Sequence, residues 1–376
     1  MPVTVQSESL PTIVSKLHRR EKSMQTQLIP IILAGGKGER FWPVSRLKRP
    51  KQFLCLDGSG RSLLQSTADR LLNLAGGWEN LWVITSAIIA DGVKEQLPEL
   101  PESNILVEPQ GRDTAPAVAW ATLEVSKKYG KDAIVGFFPA DHWIGDTVAY
   151  EKTLQAAAEQ AASEPSIVTL GITPNQPATG YGYIEQGIEK DNINDLPIYK
   201  VNRFTEKPNR ETAQSFIDTG NFSWNSGMFI FKAGVVLGEL EKYAPKLLHL
   251  LSVKGKDAYG ELSKQSIDYA LMEKTQLACV LPTSFGWDDL GDWNGVERLL
   301  KGDRDNVELG KHIGKNTQDA VIYTSDRDDV IVTIGLKDVV IVRDGNVTLV
   351  VNKNHTQDIK QVVKSLYDRP DLKHLL

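Results

Sequence analysis

The sequence predicts an α/β fold: a doubly wound, mostly parallel, Rossmann-like sheet followed by a small C-terminal β-rich domain of β-helix-like character. Three observations predict it. An apolar run at residues 28–34 ends in the glycine turn Gly35-Gly36-Lys37-Gly38, strand-like runs then alternate with helical patterns, and after residue 310 short β pieces recur at even spacing.

Leu28 to Ala34 is apolar throughout, the pattern of a strand buried on both faces. Leu63 to Leu74 has a helical pattern and precedes a strand at Leu81 to Thr85. Ile105 to Val107 leads into the alanine-rich helix Ala115 to Tyr129. Ile134 to Phe138 precedes a second alanine-rich helix around Tyr150 to Ala162, and Ile167 to Leu170 follows. Strands joined by helices of this length imply right-handed βαβ units, whose sheets bind ligands at the carboxyl ends of their strands. Farther on, Ala320 to Thr324, Val330 to Ile334, Val339 to Val342 and Val347 to Val351 are separated by polar turns, as in the coils of a β-helix, and a helix over Thr356 to Tyr367 closes them. The expected division is a flexible tail at 1–25, a large domain at 26–305 and the small domain at 306–376. Open strand faces in the last of these favour a homodimer.

With 41% hydrophobic and 24% charged residues the chain can fill a globular core, and its formal net charge of -5 excludes the basic surplus of a nucleic-acid binder. No apolar run is long enough to span a membrane. Cys55 and Cys279 stand far apart without metal-ligand spacing and fit a reducing cytoplasm. The basic stretch Lys16 to Lys22 lacks the apolar segment of a secretory signal, so the tail reads as frayed, upstream of a second start at Met24.

Glycines directly after a buried strand let backbone N–H groups approach phosphate oxygens closely, which makes Leu33, Ala34, Gly35, Gly36 and Gly38 candidates for nucleotide binding. A dinucleotide fingerprint would need a third glycine where Arg40 or a neighbour stands. A Walker loop would need Ser or Thr after Gly36-Lys37, where Gly38 stands instead. From Lys37 to Lys51 there are six basic residues (Lys37, Arg40, Arg46, Lys48, Arg49 and Lys51) and one acid, Glu39. Behind such a turn, in an acidic chain, they suggest a cationic funnel for a polyphosphate.

The run Ala34 to Pro43, with Arg49-Pro50-Lys51-Gln52-Phe53, resembles the signature of nucleotide-sugar pyrophosphorylases in the variant of their mannose-1-phosphate guanylyltransferase branch. The resemblance implies that Arg40 and Lys51 neutralise a triphosphate and its departing pyrophosphate. In the segment Glu108 to Pro116 it gives Gly111, Arg112 and Thr114 to nucleotide binding. Asp113, where the family often has Asn, or Thr114 can cap the following helix. Asp141 ends a buried strand in Phe138-Pro139-Ala140-Asp141-His142, and Asp289 stands in Trp287-Asp288-Asp289-Leu290-Gly291. By resemblance these two hold Mg²⁺, a hard cation suited to oxygen ligands. Asp288 is the rival of Asp289, which is favoured because the family's ligand lies two residues before glycine. His142 reads as structural.

Three motifs make the sugar side: Gly180-Tyr181-Gly182-Tyr183-Ile184, Phe204-Thr205-Glu206-Lys207-Pro208 and Trp224-Asn225-Ser226-Gly227. Gly182 allows close approach to a hydroxylated ring, and Asn225 is a hydroxyl partner. Glu206 and Lys207 are expected on opposite faces of a strand end; the family match gives Glu206 to sugar hydroxyls and Lys207 to the sugar phosphate. The resemblance as a whole implies transfer of GMP from GTP to mannose 1-phosphate by direct displacement. Arg40, Lys51, Lys207 and Asp141 are its catalytic residues, and no general base is needed. Another sugar or nucleotide, or a catalytically silent regulator, are the rival expectations. The β-rich tail is similar to the terminal domain of single-function guanylyltransferases, so the isomerase activity of longer bifunctional relatives is not expected.

Overall fold

The computed structural model describes residues 26–376; the expected tail at 1–25 and the start at Met24 lie outside the described residues. Eleven strands belong to the larger part: β1 (Leu28–Ala34), β2 (Trp82–Ser86), β3 (Ile105–Glu108), β4 (Ile134–Pro139), β5 (Trp143–Ile144), β6 (Ile167–Ile172), β7 (Tyr183–Ile193), β8 (Leu196–Thr205), β9 (Phe222–Lys232), β10 (Ala278–Thr283) and β11 (Trp287–Asp288). Nine form one sheet in the order β3-β2-β1-β4-β9-β6-β10-β8-β7, while β5 pairs with β11. The strands β3, β2, β1 and β4 pair in parallel, as do β6 and β10. Only β8 and β9 run against the rest, and β9 inserts between β4 and β6. The sheet is therefore mostly parallel in direction but mixed in its pairing, an insertion that local pattern does not reveal.

The main helices are α1 (Leu63–Ala75), α2 (Thr114–Tyr129), α3 (Thr147–Ser163), α4 (Ala233–Tyr243), α5 (Trp293–Leu300) and α6 (Ile359–Leu366). Local chemistry fixes their starts. Ser62 accepts from the Gln65 N–H at 3.1 Å while the Gln65 side chain accepts from the Ser62 N–H at 3.0 Å, a reciprocal cap for α1. Asp146 accepts from the N–H groups of Val148 and Ala149 to start α3. Helices α1 and α3 cover one face of the sheet, burying Leu71 and Leu154 with Ile32 and Phe138. Helices α2 and α4 cover the other, burying Val118 and Val236 with Ile31 and Phe137.

Beyond these, β12 (Val307–Leu309), β13 (Lys311–Lys315), β14 (Val321–Thr324), β15 (Val330–Ile334), β16 (Val339–Asp344) and β17 (Val347–Asn352) form short parallel coils. Strands β12, β14 and β16 stack in parallel, as do β13 and β15, and β17 returns antiparallel to β16. A third core joins the two parts. Phe41, Trp42 and Val44 pack there with Trp293 and Val296 of α5, with Val340 and Val342, and with Ile359 and Val363 of α6. Among the described residues no helix is long and apolar enough to cross a membrane.

Candidate active site

The carboxyl ends of β1, β3 and β4 open onto a cleft of about 980 Å³. Leu33, Ala34, Gly35, Gly36, Gly38, Arg40, Lys51, Gly111, Arg112, Thr114, Asp141 and Asp289 all line it. Four segments far apart in sequence thus meet at one place.

The glycine loop is held by its carbonyls. The buried Gln52 amide donates to the oxygens of Ala34 (3.2 Å) and Gly36 (3.1 Å), and Ser45 Oγ donates to that of Gly38 (2.7 Å). Carbonyls tied on the protein side leave the loop's cleft side to its N–H groups, the arrangement that receives an anion. Gly38 has φ 61°, and a Cβ there would lie 2.3 Å from Lys51 Cβ, so any other residue displaces Lys51. Gln52 was visible in the motif but had no assigned role, because its partners are carbonyls that folding brings to it.

Lys51 is 5% exposed, and its ammonium donates to Asp141 Oδ2 at 2.9 Å and to the Asp289 carbonyl at 2.5 Å. Burial opposes a charge on Asp141, but the Lys51 ammonium outweighs it and holds the carboxyl below its usual range. Asp289 Oδ1 accepts from the Tyr181 hydroxyl (2.9 Å) and the Gly291 N–H (3.1 Å). Asp288 is committed elsewhere: Arg298 grips it through Nε (2.8 Å) and Nη2 (3.0 Å), and the Leu290 N–H donates to it at 2.7 Å. His142 accepts from Trp287 Nε1 at 3.2 Å, and burial pushes it down to about 4, so it is a neutral packing group. Arg40 Nε is buried without a partner among the described residues.

The cationic funnel is smaller than the sequence suggested. Arg46 and Arg49 turn away to Asp344 on β16, at 3.4 Å and 3.8 Å, and Arg46 Nη1 also donates to the Leu375 carbonyl. Lys48 is exposed and outside the cleft lining. Lys37, Arg40 and Lys51 remain. The other cations fasten the signature segment to the β-helix, a partner that sequence spacing did not disclose.

In the 108–116 segment Asp113 caps α2, accepting from the Thr114 N–H at 2.9 Å. Thr114 Oγ1 accepts from the Ile267 N–H (2.9 Å), and Arg112 donates to the carbonyls of Tyr259 (2.9 Å) and Gly260 (3.4 Å). Both residues line the cleft while stitching it to 259–267. Sequence reasoning passed over Glu108. It ends β3 with its carboxyl buried beside the Tyr259 hydroxyl, and burial outweighs that contact to push its pKa up to about 7. An acid closing a buried strand was the available signal.

Gly182, Glu206, Lys207 and Asn225 do not line this cleft; they cluster beside it. Because β9 runs antiparallel to β4, its first residues lie at the same edge as Pro139, and a Cβ on Gly227 would come 3.9 Å from the Pro139 ring. The Asn225 N–H donates to the Gly182 carbonyl (2.8 Å), and its side-chain amide donates to Asp268 (3.0 Å). A Cβ on Gly182 would lie 2.7 Å from Glu206 Oε2. Glu206 and Lys207 are not on opposite faces: Lys207 has φ 44°, the chain turns, and the two side chains form an ion pair at 2.5 Å. Tyr181 links the halves, with its hydroxyl on Asp289 and its ring 5.0 Å from Trp224 and 5.3 Å from Trp287.

Among the described residues no group of three or more His, Cys, Asp or Glu is placed to hold a metal. Asp141 and Asp289 offer oxygen donors only. That set fits a magnesium ion completed by water and phosphate, not an all-protein cage.

Comparison with known proteins accords with this fold. Residues 29–305 match the nucleotidyl transferase family model, and residues 310–366 match the MannoseP isomerase/GMP-like beta-helix domain. A mannose-1-phosphate guanylyltransferase of Salmonella montevideo is 40% identical over 357 residues, covering 90% of this chain and 74% of its own. Its counterpart in Escherichia coli K12 is 36% identical over 359 residues, covering 91% and 74%. A crystal structure described as a mannose-1-phosphate geranyltransferase from Thermus thermophilus is 32% identical with a TM-score of 0.82, covering 91% of this chain and 99% of that one. The chain belongs to the nucleotidyl transferase family, in the group of the mannose-1-phosphate guanylyltransferases.

Proposed function

We propose that this protein transfers GMP from GTP to α-D-mannose 1-phosphate, giving GDP-mannose and pyrophosphate. The observation that carries the reading is the meeting of Lys51, Asp141 and Asp289 at the glycine loop. The sugar phosphate oxygen, ionised at neutral pH, attacks the α-phosphorus; the bond to the β-phosphate breaks, and pyrophosphate departs with its electron pair. No base and no covalent enzyme intermediate are needed.

Each residue then has a task. Backbone groups of Leu33 to Gly38 and of Gly111, with Arg112 and Thr114 behind them, seat the nucleotide. Arg40 and Lys51, both lining the cleft, stabilise the departing pyrophosphate. Lys207 leaves Glu206 to orient the sugar phosphate, while Glu206, Asn225 and the side-chain-free backbone at Gly182 receive the sugar ring. Mg²⁺ held by Asp141 and Asp289 would neutralise charge on the phosphates. Glu108 lines the cleft at the end of β3, and its carboxylate would accept from the N1–H and amino donors of guanine, a pair that adenine lacks.

The transferase domain is residues 26–305 and the β-helix domain residues 306–376. Ile313, Val332 and Ile334 are exposed on the β13–β15 pair, where Ile313 and Val332 are register partners, and this strip supports a homodimer. Both cysteines are free, in keeping with a cytoplasmic enzyme. The test is pyrophosphate release with mannose 1-phosphate and Mg²⁺, run with GTP, ATP, UTP and dTTP. Release with GTP alone is expected. Equal release with another nucleotide overturns the base assignment, and silence with all four overturns the reaction.

A further inference from the structure

Helix α6 does more than close the β-helix. Its apolar side is buried against the turn that follows the glycine loop, Ile359 and Val363 packing with Phe41 and Trp42. Next to Ile359, the exposed Lys360 lines the cleft together with Lys37 and Arg40. Among the described residues it is the one lining residue that comes from beyond residue 300.

The segments on either side of α6 are tied to the large domain. On one side Trp42 Nε1 donates to the Leu375 carbonyl at 2.8 Å. On the other, Thr356 Oγ1 and Gln357 Nε2 donate to the buried Asp292 Oδ2 at 2.7 Å and 2.6 Å, three residues past Asp289. Asn294 Nδ2 adds a bond to the Lys353 carbonyl at 3.1 Å. Lys360 therefore sits on a fixed mount. Lys37, Arg40 and Lys360 line the same cleft, the Lys37 ammonium 4.0 Å from Glu39, and an anion lying among the three cations is attracted by each of them.

We propose that Lys360 is a phosphate-binding residue, lent to the cleft by the β-helix domain, that contacts the terminal phosphates of the bound triphosphate and so the pyrophosphate that leaves. The proposal rests on the reading of this cleft as a triphosphate site. It makes the small domain a part of the active site.

The test is calorimetric binding of magnesium pyrophosphate to the full chain, which needs no turnover and so is read independently of the sugar and base assignments. Lys360→Gln and Lys360→Arg are compared with Lys364→Gln, an exposed lysine of the same helix outside the cleft. Loss of one charge-assisted phosphate contact should weaken pyrophosphate about tenfold in Lys360→Gln, and less than about threefold in Lys360→Arg. Lys364→Gln should bind as the wild type does. In the forward reaction KM for GTP should rise in Lys360→Gln while KM for mannose 1-phosphate holds. Wild-type pyrophosphate affinity in Lys360→Gln, an equal loss in Lys364→Gln, or no binding to the wild type each overturns the proposal.

Discussion

Glu108→Gln removes a charge that burial disfavours, and its effect on stability has a definite sign. The carboxyl titrates near 4.5 when free and near 7 in the folded protein. Between these values the folded chain holds a proton that the unfolded chain has lost, so stability falls as pH rises and stays low above about 7. Below about 4.5 both states are protonated and the penalty vanishes. At about 1.4 kcal/mol per pH unit the full gap amounts to about 3 kcal/mol. The neutral amide escapes that penalty. Urea unfolding without nucleotide should therefore find Glu108→Gln more stable than the wild type by about 1–3 kcal/mol at pH 8, and by little at pH 5. A variant less stable at pH 8, or a difference that shrinks as pH rises, would refute the assignment of the raised pKa to burial. The same variant should lose about a hundredfold in kcat/KM for GTP while ATP is little changed, because the amide presents a donor to guanine's own donors.

Lys51→Ala should lower kcat by about a hundredfold or more in the pyrophosphate-release assay, as for other preorganised charge stabilisers. Gly38→Ala should reproduce most of that loss while far-UV dichroism stays native, since its methyl would fall within 2.3 Å of the Lys51 side chain. Chelation of Mg²⁺ should stop turnover without lowering the unfolding midpoint, because the Lys51 ammonium already neutralises Asp141; a large fall in the midpoint would mean a structural metal. Val332→Asp, on the exposed strip, should give monomers in sedimentation, and an unchanged dimer would move the interface elsewhere.

What the sequence disclosed and what it withheld follow from the range of the interactions. The strand at 28–34, the glycine turn and the α1 cap depend on neighbours within a few residues, so they can be read from local pattern. The insertion of β9 between β4 and β6 depends on pairing partners some 50–100 residues away and leaves no local trace. Arg46 and Arg49 looked like phosphate ligands for the same reason: their partner, Asp344, is nearly 300 residues distant. Asp288 and Asp289 were separable by sequence only through their spacing to glycine. The structure separates them physically, since Arg298 occupies one and the other faces the cleft. Glu108 was passed over because its significance lies in desolvation, which depends on what packs around a strand end and not on the residues beside it.

The third core sets an order of events during synthesis. Phe41 and Trp42 belong to the signature segment, yet they are buried by α6, and the Trp42 indole is bonded to a carbonyl 333 residues later in the chain. The parallel strands β1 to β4 are complete once residue 139 has been made. The turn that positions Arg40 and Lys51 keeps part of its apolar surface uncovered until α6 arrives. A ribosome-bound chain halted near residue 305 should therefore carry a formed sheet and a loosely held signature segment, measurable as faster amide exchange at Phe41 and Trp42 than along β1. Competence to bind nucleotide is acquired late, when the distant end of the chain docks on its beginning.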